Sequence, residues 1–112
     1  MQIGERKVGD KIILEVLESH FGADKALAFK NALGRHLEGG PVSLVLDLAK
    51  VDFIDSSGLG ALLSVLKRMP KGSELVICGT KEPVSSMFKL TRMDRVFTIC
   101  KTVDDAVSAL SH

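Results

Sequence analysis

Apolar and polar residues follow one another in blocks, and each block carries the period of a strand or a helix. Lys11-Ile12-Ile13-Leu14-Glu15-Val16-Leu17 is rich in β-branched residues and reads as a strand. A weaker strand precedes it around residues 2–7, with Gly9 and Asp10 in the turn between them. From Ala23 to Leu37 the pattern is helical: Leu27, Phe29, Leu33 and Leu37 recur near the 3.6 period, with Phe29 off the tightest stripe. Gly39-Gly40-Pro41 ends that helix, but no strong cap stands before it in Glu18-Ser19-His20-Phe21-Gly22. Val42 to Leu48 is almost continuously apolar, as suits a strand covered by helices on both faces. A loop leads to a helix from about Ser57 to Met69, with Leu59, Leu62, Leu63, Leu66 and Met69 as its apolar stripe and Pro70 and Gly72 after it. Glu74 to Cys78 is the next strand. Glu82-Pro83-Val84 opens a third helix, which buries Val84, Met87, Phe88 and Leu90. Val96 to Cys100 is a last short strand. Thr102 to Leu110 is a final helix, with Thr102 as N-cap and Asp104 and Asp105 favourable in its first turn.

This order, β(β)αβαβαβα, predicts an α/β fold: a mixed, mainly parallel sheet of four or five strands with about four helices. A chain of 112 residues supplies one domain, here 1–112. At this size about two-thirds of the unfolded surface can be buried, enough for a core without metal or disulfide support. With 46% hydrophobic and 26% charged residues, a disordered chain is excluded. No apolar run approaches the ~20 residues of a bilayer-spanning helix. Residues 1–7 have no apolar core of a secretory signal. A net charge of +1, no Trp or Tyr and only five Phe argue against nucleic acid as the main partner. The charge is uneven, −2 over residues 1–56 and +3 over 57–112, which is either ordinary surface variation or a weak steering field. Cys78 and Cys100 each end an apolar run and lack metal-ligand spacing. They read as reduced, buried strand cysteines in a cytoplasmic protein.

The informative segment is Val51-Asp52-Phe53-Ile54-Asp55-Ser56-Ser57-Gly58-Leu59-Gly60, between an apolar strand and an amphipathic helix. Asp55, Ser56 and Ser57 are all N-cap types, whose side-chain oxygens accept from free N–H groups of a first turn. Gly58 and Gly60 each cost that helix ~1 kcal/mol relative to Ala. Both make sense where another surface must approach the backbone closely. They also leave the Ser56 and Ser57 hydroxyls unshielded at a loop tip, which makes a hydroxyl there a candidate phosphoacceptor. Phosphate adds about −1.5 to −2 charges, and a helix N-terminus tolerates the anion. The plainer alternative, a serine cap with incidental glycines, uses the same residues.

The stretch Phe53-Ile54-Asp55-Ser56-Ser57-Gly58-Leu59-Gly60 resembles the signature of the STAS domain, and within it bacterial anti-sigma factor antagonists. The resemblance extends from Lys11 to Leu110. It takes in Val45-Leu46-Asp47-Leu48 before the motif, then Pro83-Val84-Ser85-Ser86-Met87-Phe88, Leu90-Thr91 and Val96-Phe97-Thr98-Ile99 after it. It implies a STAS-like fold and a regulatory binding protein, not an enzyme, with no cofactor of its own. It also implies a kinase-type anti-sigma factor that uses its own bound ATP to phosphorylate Ser56, and a serine phosphatase that reverses the step. Asp55 and Ser57 would form the polar setting of the switch. Ser57, Gly58, Leu59 and Gly60 would belong to the docking surface. The chain departs from the family's Gly-x-Leu-Asp type of turn before the first helix: Leu17-Glu18-Ser19-His20-Phe21-Gly22-Ala23-Asp24 stands there. His20 and Phe21 are then either part of a different partner surface or one solvated His and one core Phe. A STAS scaffold or transport-complex subunit without phosphorylation is the alternative function.

Other chemistry finds little support. Gly-x-Ser-x-Gly is absent, and a serine nucleophile would need a base from His20, His36 or His112. His36, beside Arg35 and Glu38, reads as an exposed helix residue. No His pair at i,i+4 and no CxxC suggests a metal, and Gly58-Leu59-Gly60 lacks the further Gly and Lys of a phosphate loop. Lys67, Arg68 and Lys71 suit a helix C-terminus. Met69 and Met87 read as core filler, and Met93 lies in the loop Thr91-Arg92-Met93-Asp94-Arg95.

Overall fold

Chain alternation resolves into a five-stranded sheet with helices on both faces. The computed structural model describes residues 1–110; His112 lies outside them. The strands are β1 (Ile3–Val8), β2 (Lys11–Val16), β3 (His20–Phe21), β4 (Ser43–Asp47), β5 (Phe53–Ile54), β6 (Glu74–Cys78) and β7 (Thr98–Cys100). The helices are α1 (Ala23–Gly34), α2 (Ser56–Arg68), α3 (Glu82–Leu90) and α4 (Val103–Ala109), with 3-10 turns at Arg35–Leu37 and Met93–Arg95. The sheet order is β1-β2-β4-β6-β7. β1 is antiparallel to β2 and the other pairs are parallel. Gly9 turns the β1–β2 hairpin at φ +63°, a conformation glycine adopts without strain.

Because side chains alternate along a strand, each central strand feeds two cores. Leu44 and Leu46 of β4 join Leu14, Val16 and Ile77 in the larger core beneath α1, α2 and α3. Val45, with Ile13, Val76 and Cys78, packs beneath α4 through Ala106 and Leu110. This explains the unbroken apolar run of β4.

The helix faces differ from the periodic expectation at particular residues. On α1, Phe29 is fully buried and Leu27 is 66% exposed. The stripe is Phe29-Leu33-Leu37, an i,i+4 row, oriented by the ring of Phe21 at 4.8 Å from that of Phe29. Leu90 is 79% exposed: it is the last residue of α3, beyond the turn that buries Val84 and Phe88. The last strand begins at Thr98, because Val96 and Phe97 bond back to Met93. His36 is half-buried, with Nε2 3.2 Å from Glu5 of β1. Cys78 is buried, whereas Cys100, its register partner on the edge strand, is half-buried. Thr102 caps α4 as expected, its hydroxyl accepting from Asp105 N–H at 3.0 Å.

Candidate functional site

β4 delivers the chain to one end of the sheet, and the loop after it turns back through β5 into α2. β5 pairs with β3 as a two-stranded parallel ribbon, with His20 opposite Phe53 and Phe21 opposite Ile54. Ser19 carbonyl accepts from the N–H groups of Asp52 (2.7 Å) and Phe53 (3.2 Å), and Phe21 carbonyl accepts from Asp55 N–H (3.2 Å). The segment before α1 thus straps the segment before α2. Phe21 and Ile54, both fully buried, anchor the ribbon in the larger core.

Of the three candidate caps, Asp55 is the one used. Its backbone is extended (φ −106°, ψ −177°), and its Oδ1 accepts from Ser57 N–H at 2.9 Å and Gly58 N–H at 3.0 Å. Its carbonyl accepts the first helical bond, from Leu59 N–H at 3.0 Å. α2 therefore starts at Ser56, one residue earlier than the periodicity suggests. Ile54 and Leu59 flank the cap at the positions of a hydrophobic staple, both inside the larger core.

Since Asp55 satisfies the first-turn amides, the serine hydroxyls are not needed as caps. Ser56 and Ser57 are both exposed, and Asp55 is partly exposed. Gly60 is exposed, with nothing within 4 Å of where a Cβ would stand. Gly58 and Leu59 are buried. The close approach at Gly58 is internal: a Cβ there would collide with the Phe21 carbonyl oxygen and come within 2.8 Å of Ile54 Cγ1. The expected surface thus divides. Ser56, Ser57 and Gly60 face outward, while Gly58 and Leu59 back them from inside.

His20 and Phe21 also divide. Phe21 is core, whereas His20 is exposed and lies against the tip. Its Nε2 is 4.0 Å from Asp55 Oδ2, the oxygen that Asp55 does not use for capping. Its ring stacks on Phe53 at 5.3 Å between centroids, tilted by 32°. Gly22 makes room for this arrangement, since a Cβ there would meet Asp55 Oδ2 at 2.5 Å and His20 Nε2 at 2.6 Å. Beside the ribbon, Asp52 forms an ion pair with Lys81, the N-cap of α3. Sequence reasoning missed the His20–Asp55–Phe53 cluster. Its one local sign was a glycine directly after His20-Phe21, where a helix start without a capping side chain was expected.

Among the described residues, no hydrogen bond joins the Ser56 hydroxyl to an imidazole or amine. No group of three or more His, Cys, Asp or Glu side chains among them could hold a metal ion. No helix among them is long and apolar enough to cross a membrane. The clefts beside β1, beside β7 and at the turn of Gly39-Gly40-Pro41 are lined by residues other than those of the tip.

The STAS domain family model matches residues 10–106. BtrV of Bordetella bronchiseptica, provisionally named an anti-sigma factor antagonist, is 27% identical over 101 residues, covering 89% of this chain and 87% of its own. An anti-sigma F factor antagonist of Paenibacillus polymyxa is 38% identical over 70 residues, covering 62% of this chain and 57% of its own. Among solved structures, an anti-sigma factor antagonist from Mycobacterium paratuberculosis superposes with a TM-score of 0.90 at 23% identity, covering 99% of this chain and 94% of the other. The antagonist SpoIIAA in its unphosphorylated form superposes at 0.77 with 13% identity, covering 96% and 94%. At those identities the superpositions speak for the fold, a small α/β domain with four helices and a mostly parallel five-stranded sheet. The family model covers most of the chain, and the chain belongs to the STAS domain family.

Proposed function

We propose that this protein is a phosphorylation-switched anti-sigma factor antagonist. The unphosphorylated tip docks on a kinase-type anti-sigma factor, and phosphate on Ser56 ends the complex. The observation that carries this reading is the exposed Ser56 at the first position of α2, freed from capping because Asp55 accepts both amides. The relatives named as anti-sigma factor antagonists support the choice of partner class. In the switching step the γ-phosphoryl of ATP held by the partner passes to Ser56 Oγ. The Oγ–H bond breaks and its proton leaves to a base or to solvent. An Oγ–P bond forms, the bond from the γ-phosphorus to the β,γ-bridging oxygen breaks, and ADP departs. A serine phosphatase then hydrolyses the phosphoserine.

The docking surface consists of the outward residues Ser56, Ser57 and Gly60 with the edge of Asp55, while Gly58 and Leu59 support it from below. Phosphate adds about −1.5 to −2 charges beside the Asp55 carboxylate. That field opposes an acidic or apolar partner surface, while the helix N-terminus keeps the fold tolerant of the anion.

The test is titration of the partner by calorimetry together with intact mass after incubation with the partner and ATP. Wild type should gain ~80 Da on the peptide containing Ser56, one phosphate replacing a hydroxyl hydrogen. Ser56→Ala should bind with unchanged affinity and gain no mass. Ser56→Asp should bind at least tenfold more weakly, with an unchanged unfolding midpoint. Binding of Ser56→Asp as tight as wild type would sink the switch. Tight binding with no mass gain would instead support a docking scaffold.

A further inference from the structure

The tip holds two kinds of charge next to the hydroxyl. Asp55 is committed on one side only: Oδ1 caps α2, while Oδ2 accepts no capping hydrogen bond and faces His20 Nε2 at 4.0 Å. The imidazole is not left to wander. Register pairing sets His20 opposite Phe53, whose ring stacks on it at 5.3 Å. Gly22 lacks the Cβ that would occupy the same space as the two facing atoms. The groups around His20 are the Asp55 carboxylate from the cap of α2, the Phe53 ring from β5 and the Gly22 backbone before α1. The nearby Lys81 is engaged by Asp52.

We propose that His20 is the counter-cation of the tip when Ser56 carries phosphate, so that the phosphorylated state is linked to proton binding at the imidazole. This rests on the reading of Ser56 as the switch. A phosphoserine would follow Asp55 directly in the chain, which adds a second anion to a tip that already holds the Asp55 carboxylate. Two adjacent anions favour a cation between them, and His is the side chain that gains its charge near neutral pH. His20 is already held against the first anion, one residue from the second. Linkage is reciprocal: an imidazole that charges when phosphate is present must also favour the dianionic phosphate. His20 is here a positioning residue of the switched state. It makes no contact in the transfer of phosphate.

The test uses full-length protein with phosphoserine installed at position 56 during translation, as wild type, His20→Gln and His20→Lys. The 31P resonance is followed from pH 5 to 9. A phosphoserine has its second ionisation near pH 6. A single unit charge beyond direct contact, screened by physiological salt, moves that midpoint by on the order of a few tenths of a pH unit. The expected order is wild type about 0.3 pH unit below the Gln variant, with the Lys variant at or below wild type because its charge is permanent. Gln keeps a planar polar group on Phe53 but cannot charge, so a merely structural role would not move the resonance in this order. Coincident midpoints for all three proteins would overturn the assignment. Because the phosphate is installed without a kinase, failure of the partner to modify Ser56 removes the switch reading, whereas coincident midpoints remove His20 alone.

Discussion

Gly58 and Gly60 look alike in sequence, two glycines in one helical turn, yet they should respond oppositely to a single methyl group. At Gly60 a Cβ meets nothing within 4 Å. Gly60→Ala should therefore recover the helix propensity that glycine forfeits, about 1 kcal/mol of added stability. At Gly58 a Cβ collides with the Phe21 carbonyl oxygen and comes within 2.8 Å of Ile54 Cγ1. The carbonyl cannot simply step aside. It accepts from Asp55 N–H at 3.2 Å, and its own side chain is fully buried with the ring 4.8 Å from that of Phe29. Forcing a methyl into such packing costs about 1–3 kcal/mol. Loosening the strap hydrogen bond costs about 0.5–1.5 kcal/mol more. Against the same gain of about 1 kcal/mol in propensity, Gly58→Ala should lose about 1–3 kcal/mol. The two variants then differ by roughly 2–4 kcal/mol, which separates their urea midpoints by on the order of 1–2 M for a domain of this size. Equilibrium urea unfolding followed by far-UV circular dichroism reads this directly. If Gly58→Ala unfolds at or above the wild-type midpoint, the account of Gly58 as an internal contact is wrong. The pair also separates stability from docking. Gly60→Ala that is more stable yet binds the partner less tightly is the expected sign of a contact surface at Gly60.

Two further predictions concern groups away from the tip. Cys78 is fully buried, and burial, reinforced by the Asp47 carboxylate, pushes its thiol up to about 12. Its thiolate fraction at pH 8 is then about 10⁻⁴, so iodoacetamide followed by peptide mass mapping should modify Cys78 only in denaturant; rapid labelling in the native protein would refute its burial. Glu18 accepts from Lys25 Nζ and from Gln2 N–H, each at 2.7 Å, and Lys25 above all holds its carboxyl below the ordinary value of 4.5. A carboxyl depressed by folding contributes stability above its unfolded value and loses it as pH falls through the lower folded one. Wild type should therefore unfold at higher urea than Glu18→Gln at pH 7, with the gap narrowing as pH falls from about 4.5 through the lower folded value; a gap that does not narrow on acidification would contradict the assignment.

Much of the fold was legible because its signals are local. The unbroken apolar run of β4 announced a strand covered on both faces, and residues of β4 do divide between two cores. Thr102 and the acidic first turn announced α4. What periodicity could not supply was the direction a helix faces. The spacing of α1 admits a stripe through Leu27 or one through Phe29, and packing against distant elements, the ring of Phe21 eight residues earlier among them, decides for Phe29. The same limit applies to Leu90, whose fate depends on where α3 ends against the turn at Met93–Arg95.

The tip shows the limit more sharply. Its cap, hydroxyls and glycines lie within six consecutive residues, so propensity and capping rules could find them. The residues that hold them, Ser19 to Gly22, sit more than thirty positions earlier and carry no strand signal of their own: two residues of ribbon are too short for alternation to register. Yet this ribbon determines what each motif residue does. Phe21 carbonyl claims the space above Gly58 and takes Asp55 N–H, which fixes the carboxylate in its capping pose. With the amides satisfied, both serines stay free. A glycine that looked like room for a visitor is thus room for the chain itself, and the outward surface is narrower than the motif: Ser56, Ser57 and Gly60, with His20 reaching it from the side through Asp55. Motif residues that only support the tip should therefore fail by unfolding, as Gly58→Ala is expected to, and those that face outward should fail by losing the partner while the domain stays folded.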